Sequence, residues 1–91
     1  MLATSNNHIV KVSNATDIMQ GFSFTRDDTG DAAASFFTAA TSDTITLNRT
    51  TTGSVALGEY IEIEDIAAGV FKVMCFLANT GVPATPFSST V

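Results

Sequence analysis

The sequence predicts a mainly β, small single-domain sandwich or barrel-like fold, with at most short helical turns and extended terminal arms. Three observations predict this class. Fourteen threonines, eight serines and six glycines separate short runs of β-branched and aromatic residues. Hydrophobic residues make up 45% of the chain and charged residues only 14%, which excludes disorder as the main state. A chain of 91 residues has room for one hydrophobic core, so we expect residues 1–91 to form one domain.

The N-terminal third predicts two strands separated by a turn. His8–Val12 is a short β-rich run, and the polar residues 13–17 bond readily to their own backbone in turns. Ile18–Gln20 fits one helical turn capped by the polar residues before it. Phe22–Thr25 predicts the second strand, with both phenylalanine rings on one face.

The middle of the chain contains one ambiguous segment and one clear strand. Arg26–Asp31 is a polar turn that contains glycine. Ala32–Ala40 fits either a short helix or a buried strand, because its alanines favour a helix and its length favours a strand. Thr44–Asn48 alternates cleanly, which directs Ile45 and Leu47 to one face of a half-buried strand.

A loop and a further strand follow. Arg49–Ser54 has the composition of an exposed loop. Glu59–Asp65 alternates again, so Ile61 and Ile63 are expected to face inward and the glutamates to face outward and keep that face of the sheet wet.

The strand Val70–Leu77 differs from the others because both of its faces are largely apolar. Either this strand is central and covered on both sides, or a second subunit covers one face, since large apolar patches rarely remain bare. One face carries Phe71, Val73, Cys75 and Leu77, and the other carries Val70, Lys72, Met74 and Phe76.

Both ends of the chain are candidate arms. Pro83 and Pro86 restrict the C-terminal segment 83–91 to an extended path and remove two donors from any ladder, which predicts an arm or an edge strand. Residues 1–7 are the second candidate arm, and an extended arm can add a strand to a neighbour's sheet. A disordered tail is the alternative for both.

Composition excludes several classes of function. A net charge of −5 offers nothing to hold a phosphate backbone, so we expect no nucleic-acid partner. One cysteine and one histidine permit neither an intrachain disulfide nor a Cys/His zinc site. No basic, apolar leader begins the chain, and the longest apolar run, Ala67–Ala78, is too short to span a bilayer. We therefore expect a cytoplasmic product with no membrane partner.

Two acidic patterns in the turn before residue 32 resemble functional sites, one catalytic and one calcium-binding. Asp28-Thr29-Gly30 matches the active-site triplet of dimeric aspartic proteases, but the residues before it are polar where that site requires an apolar strand. Asp27, Asp28 and Asp31 could attract calcium, yet no glutamate closes an EF-hand loop. An acidic β-turn accounts for all of these residues, so we expect no catalytic aspartate and no metal site.

No other catalytic or cofactor motif is present. Cys75 lies between apolar neighbours, where a thiolate is disfavoured, and is expected to be a core cysteine. His8 is the only histidine, and no Gly-x-Ser-x-Gly elbow accompanies it. No phosphate-binding glycine loop occurs either. We expect neither an enzyme nor a cofactor.

The C-terminal half resembles a family of known structural proteins. The strings Asp43–Asn48, Gly58–Val73 and Pro83–Ser88 are similar to segments of tailed-bacteriophage capsid decoration, or cement, proteins. The resemblance implies a homo-oligomer, most often a trimer, that is made in the host cytoplasm and binds the major capsid protein on the outer surface of the virion. A structural protein of the phage tail or fibre is the alternative, and an aspartic-protease-like dimer using Asp28 is a more remote one.

The predicted interface combines the outward face of the doubly apolar strand with the C-terminal segment. The strand face is assigned to packing between subunits, with Lys72 either reaching a carboxylate at the rim or extending its charged end past the apolar surface. The predicted interface residues are Val70, Lys72, Met74, Phe76, Pro83, Pro86 and Phe87.

Overall fold

The computed structural model describes residues 7–14, 16–28 and 32–91, and within these residues the chain is all β. This confirms the predicted fold class. The strands are β1 (His8–Lys11), β2 (Ile18–Asp27), β3 (Ala33–Phe37), β4 (Thr44–Leu47), β5 (Tyr60–Ala67), β6 (Val70–Asn79) and β7 (Phe87–Ser88).

The strands form two sheets that pack as a small sandwich. A three-stranded antiparallel sheet has the order β1-β4-β7, and a four-stranded mixed sheet has the order β3-β2-β6-β5. In the larger sheet β2 and β6 run parallel, whereas β3 and β5 are antiparallel to their neighbours. The smaller sheet draws its strands from three parts of the chain: β1 precedes β2, β4 lies in the connection between β2 and β6, and β7 follows β6.

The core lies between the sheets and follows from the alternation along the strands. Ile45 and Leu47 of β4 face Val73 and Cys75 of β6, and all four side chains are fully or almost fully buried. Each such apolar side chain contributes about 1.5–3 kcal/mol relative to an exposed one. The predicted inward face of β4 is therefore confirmed, and of the two predicted faces of β6 the one with Val73 and Cys75 enters the core.

Two segments form strands because they pair with neighbouring strands, and not because their residues have a high intrinsic preference for strand. Ile18–Gln20 was predicted as a helical turn, and this prediction is wrong: the segment begins β2, where Ile18 pairs with Val70 and Met19 is buried. The ambiguous segment Ala32–Ala40 contains β3, because Ala33–Phe37 finds an antiparallel partner in β2. Tertiary ladders override alanine's helix propensity here.

The loop predicted to be exposed between residues 49 and 54 is partly buried. Asn48 Oδ1 accepts hydrogen bonds from the backbone N–H groups of Thr50, Thr51 and Thr52. The turn that this amide organises carries residues 52–54 into the protein, where all three are buried. The prediction counted polar residues and missed that their hydrogen bonds are satisfied locally.

The C-terminal segment is an edge strand of the smaller sheet around residues 87–88 rather than a free arm. Phe87 pairs with Ile45 and is only 8% exposed, and the carbonyl of Pro86 accepts a hydrogen bond from the Thr46 N–H. The N-terminal arm predicted at residues 1–7 lies outside the described residues except for Asn7, which is exposed.

Asp43 fastens the last residues to the fold. Its Oδ1 accepts hydrogen bonds from the Thr44 hydroxyl at 2.8 Å and from the Thr90 N–H at 2.9 Å. Burial alone would raise the pKa of this carboxyl, but the hydrogen bonds from Thr90, Thr44 and Val91 outweigh it and leave the pKa below its usual range. The folded chain therefore favours the ionised form of Asp43.

Gly21 permits the close approach of β2 and β6. Its φ is +155°, and a Cβ at this position would lie 1.8 Å from the carbonyl oxygen of Val73. Gly81 also has a positive φ, +80°, but a Cβ there would meet nothing within 4 Å. An alanine at position 21 would therefore overlap with a neighbouring strand, whereas an alanine at position 81 would introduce backbone strain alone.

We expect Gly21→Ala to lower the free energy of unfolding by about 3 kcal/mol, because the added methyl forces the two central strands apart. Gly81→Ala should cost about 1–2 kcal/mol from backbone strain. Urea denaturation of both variants measures the difference. Equal losses would show that the predicted overlap with Val73 does not govern stability.

Candidate functional site

The outer face of the four-stranded sheet is unusually rich in aromatic side chains. The strand registers align Phe37, Phe22 and Met74 in one row across β3, β2 and β6. The next row contains Phe24, Phe76 and Tyr60 across β2, β6 and β5. We call these six residues the aromatic face: Phe22, Phe24, Phe37, Tyr60, Met74 and Phe76.

Phe76 holds the centre of the aromatic face together. Its ring stacks on that of Tyr60, with centroids 4.9 Å apart and an interplanar angle of 27°. Phe22 meets the same ring edge to face, at a centroid distance of 6.2 Å and an angle of 81°. Aromatic pairs in these geometries contribute about 0.5–1.5 kcal/mol beyond the area they bury. The rings therefore form an ordered surface.

The aromatic face is open to solvent. Phe37 is 77% exposed, Tyr60 50% and Phe24 43%, while Phe22, Met74 and Phe76 are half-buried by their neighbours. Antiparallel and mixed sheets with one solvated face normally place polar residues on it. A contiguous apolar surface of this kind is typical of an interaction site.

Charged residues border the aromatic face in balanced numbers. Lys72 lies opposite Glu64 in the strand register at one end, Glu62 lies opposite Met74, and Arg26 lies at the other end. Two positive and two negative side chains make this surface neutral, although the chain carries a net charge of −5. The face can thus approach another molecule without charge repulsion.

A cavity of about 250 Å³ opens at the Arg26 end of the aromatic face. Phe24 and Phe76 form its apolar wall, the Arg26 side chain borders it, and Leu57 and Gly58 close it from the loop before β5. Leu57 is itself largely exposed, so the cavity has an apolar rim as well as an apolar wall.

Glu59 organises the loop that closes this cavity. Its Oε1 accepts hydrogen bonds from the backbone N–H groups of Ser54 and Ala78, at 2.8 and 3.0 Å. Its Oε2 accepts from Val55 and Ala56, at 2.7 and 2.6 Å. Four charge-assisted hydrogen bonds thus pin residues 54–56 to β6 and place Leu57 beside the aromatic face.

The expectation that all the glutamates of this segment face outward is therefore wrong for Glu59. Glu62 and Glu64 are exposed as predicted, but Glu59 precedes β5 and is buried. Alternation assigns a face only within a strand, and the loop's unpaired N–H groups decide the position of this carboxylate. Ile61 and Ile63 share the face of Cys75 and Val73, but Ile63 is half exposed because β5 is an edge strand.

Four of the predicted interface residues lie together and three lie elsewhere. Met74 and Phe76 belong to the aromatic face, and Val70 and Lys72 occupy its end. Pro83 lines a small cavity of about 50 Å³ with Asp27 and Asn79. Pro86 and Phe87 are buried in this chain's own fold, which leaves them little surface for a partner.

Sequence reasoning missed four aromatic members of the face: Phe22, Phe24, Phe37 and Tyr60. The pattern did place Phe22 and Phe24 on one face of a strand, but it did not indicate that this face points away from the core. The missing information was the parallel register, which sets Phe22 beside Met74 and Phe24 beside Phe76.

The residues considered for chemistry are dispersed. Asp28 is exposed and its N–H donates to the Asn79 carbonyl, whereas Thr29, Gly30 and Asp31 lie outside the described residues. His8 Nδ1 lies 2.8 Å from Ser54 Oγ, but Ser54 is 1% exposed. Burial raises the pKa of the Cys75 thiol to about 12, so it stays protonated at neutral pH. Cys75 is the core cysteine that the sequence predicts.

Among residues 7–14, 16–28 and 32–91, no three His, Cys, Asp or Glu side chains come together in a group able to hold a metal ion. The same residues contain no helix long and apolar enough to cross a membrane. Comparison of the chain with protein-family models, curated proteins and solved structures finds no match in any of the three.

We expect Glu59→Gln to lower the free energy of unfolding by about 2–3 kcal/mol, because a neutral amide offers one acceptor oxygen where the loop requires two. Glu62→Gln, on the exposed face of β5, is the matched control and should change stability by less than about 0.5 kcal/mol. Chemical denaturation measures both. Similar values for the two variants would contradict the organising role of Glu59.

Proposed function

We propose that this chain is a structural virion protein of a tailed bacteriophage, and specifically a capsid decoration protein. It binds the major capsid protein on the outer surface of the virion after synthesis in the host cytoplasm, and it acts as a homo-oligomer. The resemblance of the C-terminal half to such proteins supports this function. The open aromatic face supports it independently, because a structural assembly protein requires an interaction surface rather than a catalytic site.

The aromatic face is the single observation that carries the proposal. Burying a phenylalanine side chain that is otherwise in water contributes about 1.5–3 kcal/mol. Three members of the face are more than two-fifths exposed, so the isolated chain forgoes this free energy. A partner that covers the face recovers it, and the neutral border allows the partner to approach.

The mechanism is binding energy without chemistry. Each decoration protein adds favourable contact area across a junction between major capsid subunits, which would otherwise open under the pressure of the packaged DNA. Repetition around the shell multiplies each modest contact, because every bound copy restrains its neighbours. The buried thiol of Cys75 and the exposed Asp28 have no role in this mechanism.

A tail or fibre protein is the alternative within the same structural class. The aromatic face would serve a different assembly there, and location on the particle distinguishes the two. Gold labelling of an epitope fused to Val91 should mark the icosahedral shell for a decoration protein and the tail for the alternative.

Capsid binding tests the proposal directly. Purified chain added to empty capsids of its own phage should bind in a saturable, fixed number of copies and raise the temperature at which the shells open. Met74→Asp and Phe76→Asp should lose this stabilisation, because a charge in the aromatic face prevents its burial. Val82→Asp is the matched control, since Val82 is exposed but lies outside the face, and it should stabilise capsids like the unaltered chain.

Absence of binding to intact capsids by the unaltered chain would contradict the decoration function. Full shell stabilisation by Met74→Asp and Phe76→Asp would contradict the part assigned to the aromatic face.

A further inference from the structure

We propose that a second copy of this chain covers the aromatic face, and that Phe37 of each copy enters the cavity beside Phe24, Leu57 and Phe76 of the other. This inference rests on the proposed function in that it names the contact through which the assembly forms. The aromatic face then contributes to capsid stabilisation by holding the two copies together, and attachment to the capsid is tested separately.

Phe37 is the projecting part of the contact. It ends β3, one of the two edge strands of the larger sheet, and within the described residues Phe22 is its one cross-strand partner. It is the most exposed residue of the aromatic face, at 77%. An isolated, projecting phenylalanine at the edge of an apolar surface is the arrangement of an interface anchor.

The cavity is the receiving part. An apolar cavity of about 150 Å³ accommodates benzene, so the 250 Å³ space beside Phe76 is large enough for a phenylalanine ring. Phe24 and Leu57 supply apolar contacts, and the guanidinium of Arg26 borders the same space. A cation beside the face of an inserted ring adds attraction to the apolar burial.

The positions of the two parts favour a two-fold pair. Phe37 lies on the edge strand β3, and the cavity lies on the same sheet face beside the central strands β2 and β6 and the loop before β5. When two such faces meet about a two-fold axis in the plane between them, each copy inserts its ring into the other. Both contacts form at once and the assembly closes at two copies. This arrangement differs from the trimer that the family resemblance implies.

The area and the bordering charges of the aromatic face are consistent with a second copy of the chain as its partner. Four strands about 4.8 Å apart and eight residues long cover roughly 500 Å² of flat sheet, to which the projecting rings add. Stable interfaces bury about 600–1,000 Å² on each partner, so the pair lies at the lower end of this range. The opposite charges of Lys72 and Arg26 on one copy and Glu62 and Glu64 on the other can pair at the rim.

Sedimentation velocity across a dilution series tests the inference. The unaltered chain should sediment as a reversible dimer. Phe37→Ser removes the projecting ring, and Leu57→Asp places a charge at the rim of the cavity. Each should raise the dissociation constant of the dimer at least tenfold. Both side chains are largely exposed, so the variants should unfold at the same temperature as the unaltered chain. Val82→Ser removes an equally exposed apolar side chain elsewhere and should leave the dimer intact.

A mixture of the two defective variants distinguishes the proposed contact from a general effect of lost hydrophobic surface. Phe37→Ser keeps an intact cavity and Leu57→Asp keeps an intact ring, so a mixed pair contains one complete contact whereas each variant alone contains none. We expect the mixture to form heterodimers more strongly than either variant forms homodimers.

A monomeric unaltered chain, a trimer, or a dimer insensitive to Phe37→Ser would overturn the inference. A monomer that still stabilises capsids would overturn this contact and the homo-oligomer, and would leave the decoration function standing. A dimer that shows the expected variant pattern but binds no capsid would support this contact and overturn the proposed function.

Discussion

The parallel pairing of β2 with β6 is the constraint on which the rest of the structure depends. It runs from Ile18 beside Val70 to Asp27 beside Asn79, and Gly21 allows it by leaving room for the Val73 carbonyl. This pairing makes β6 central in its sheet. It also sets the phase in which Met19, Val73 and Cys75 enter the core, so the same ladder that buries one set of side chains directs the other set outward.

The assembly that we propose depends on the outward set of side chains. A chain of this size builds one core, and the smaller sheet covers only one face of the larger one. The apolar residues of β2 and β6 that point away from it, together with Phe37 and Tyr60, have no layer above them within the described residues. Glu59 adds the loop that shapes a cavity at the border of this face. The stability of the chain and the binding that we propose for it thus depend on opposite faces of one sheet.

Much of the fold could be predicted because alternation is a local property. Ile45, Leu47 and the two faces of β6 followed directly from it. What failed depended on partners distant in sequence: Ile18–Gln20 became strand because β6 lies beside it, and Glu59 turned inward because N–H groups of its loop and of β6 require an acceptor. For the same reason, only two of the six residues of the aromatic face were predicted. Met74 and Phe76 were identified within one strand, whereas Phe37 and Tyr60 joined them only through the register of neighbouring strands.

Tyr60 offers the most direct test of the claim that the aromatic face is covered by assembly. It is the only tyrosine, the chain contains no tryptophan, and its ring stacks on Phe76 at the centre of the face. Quenching of its fluorescence by acrylamide should be weak at high protein concentration and should strengthen on dilution as the face becomes exposed. Quenching that is strong and unchanged over the whole dilution series would contradict coverage of this face by a second copy, and with it the central claim.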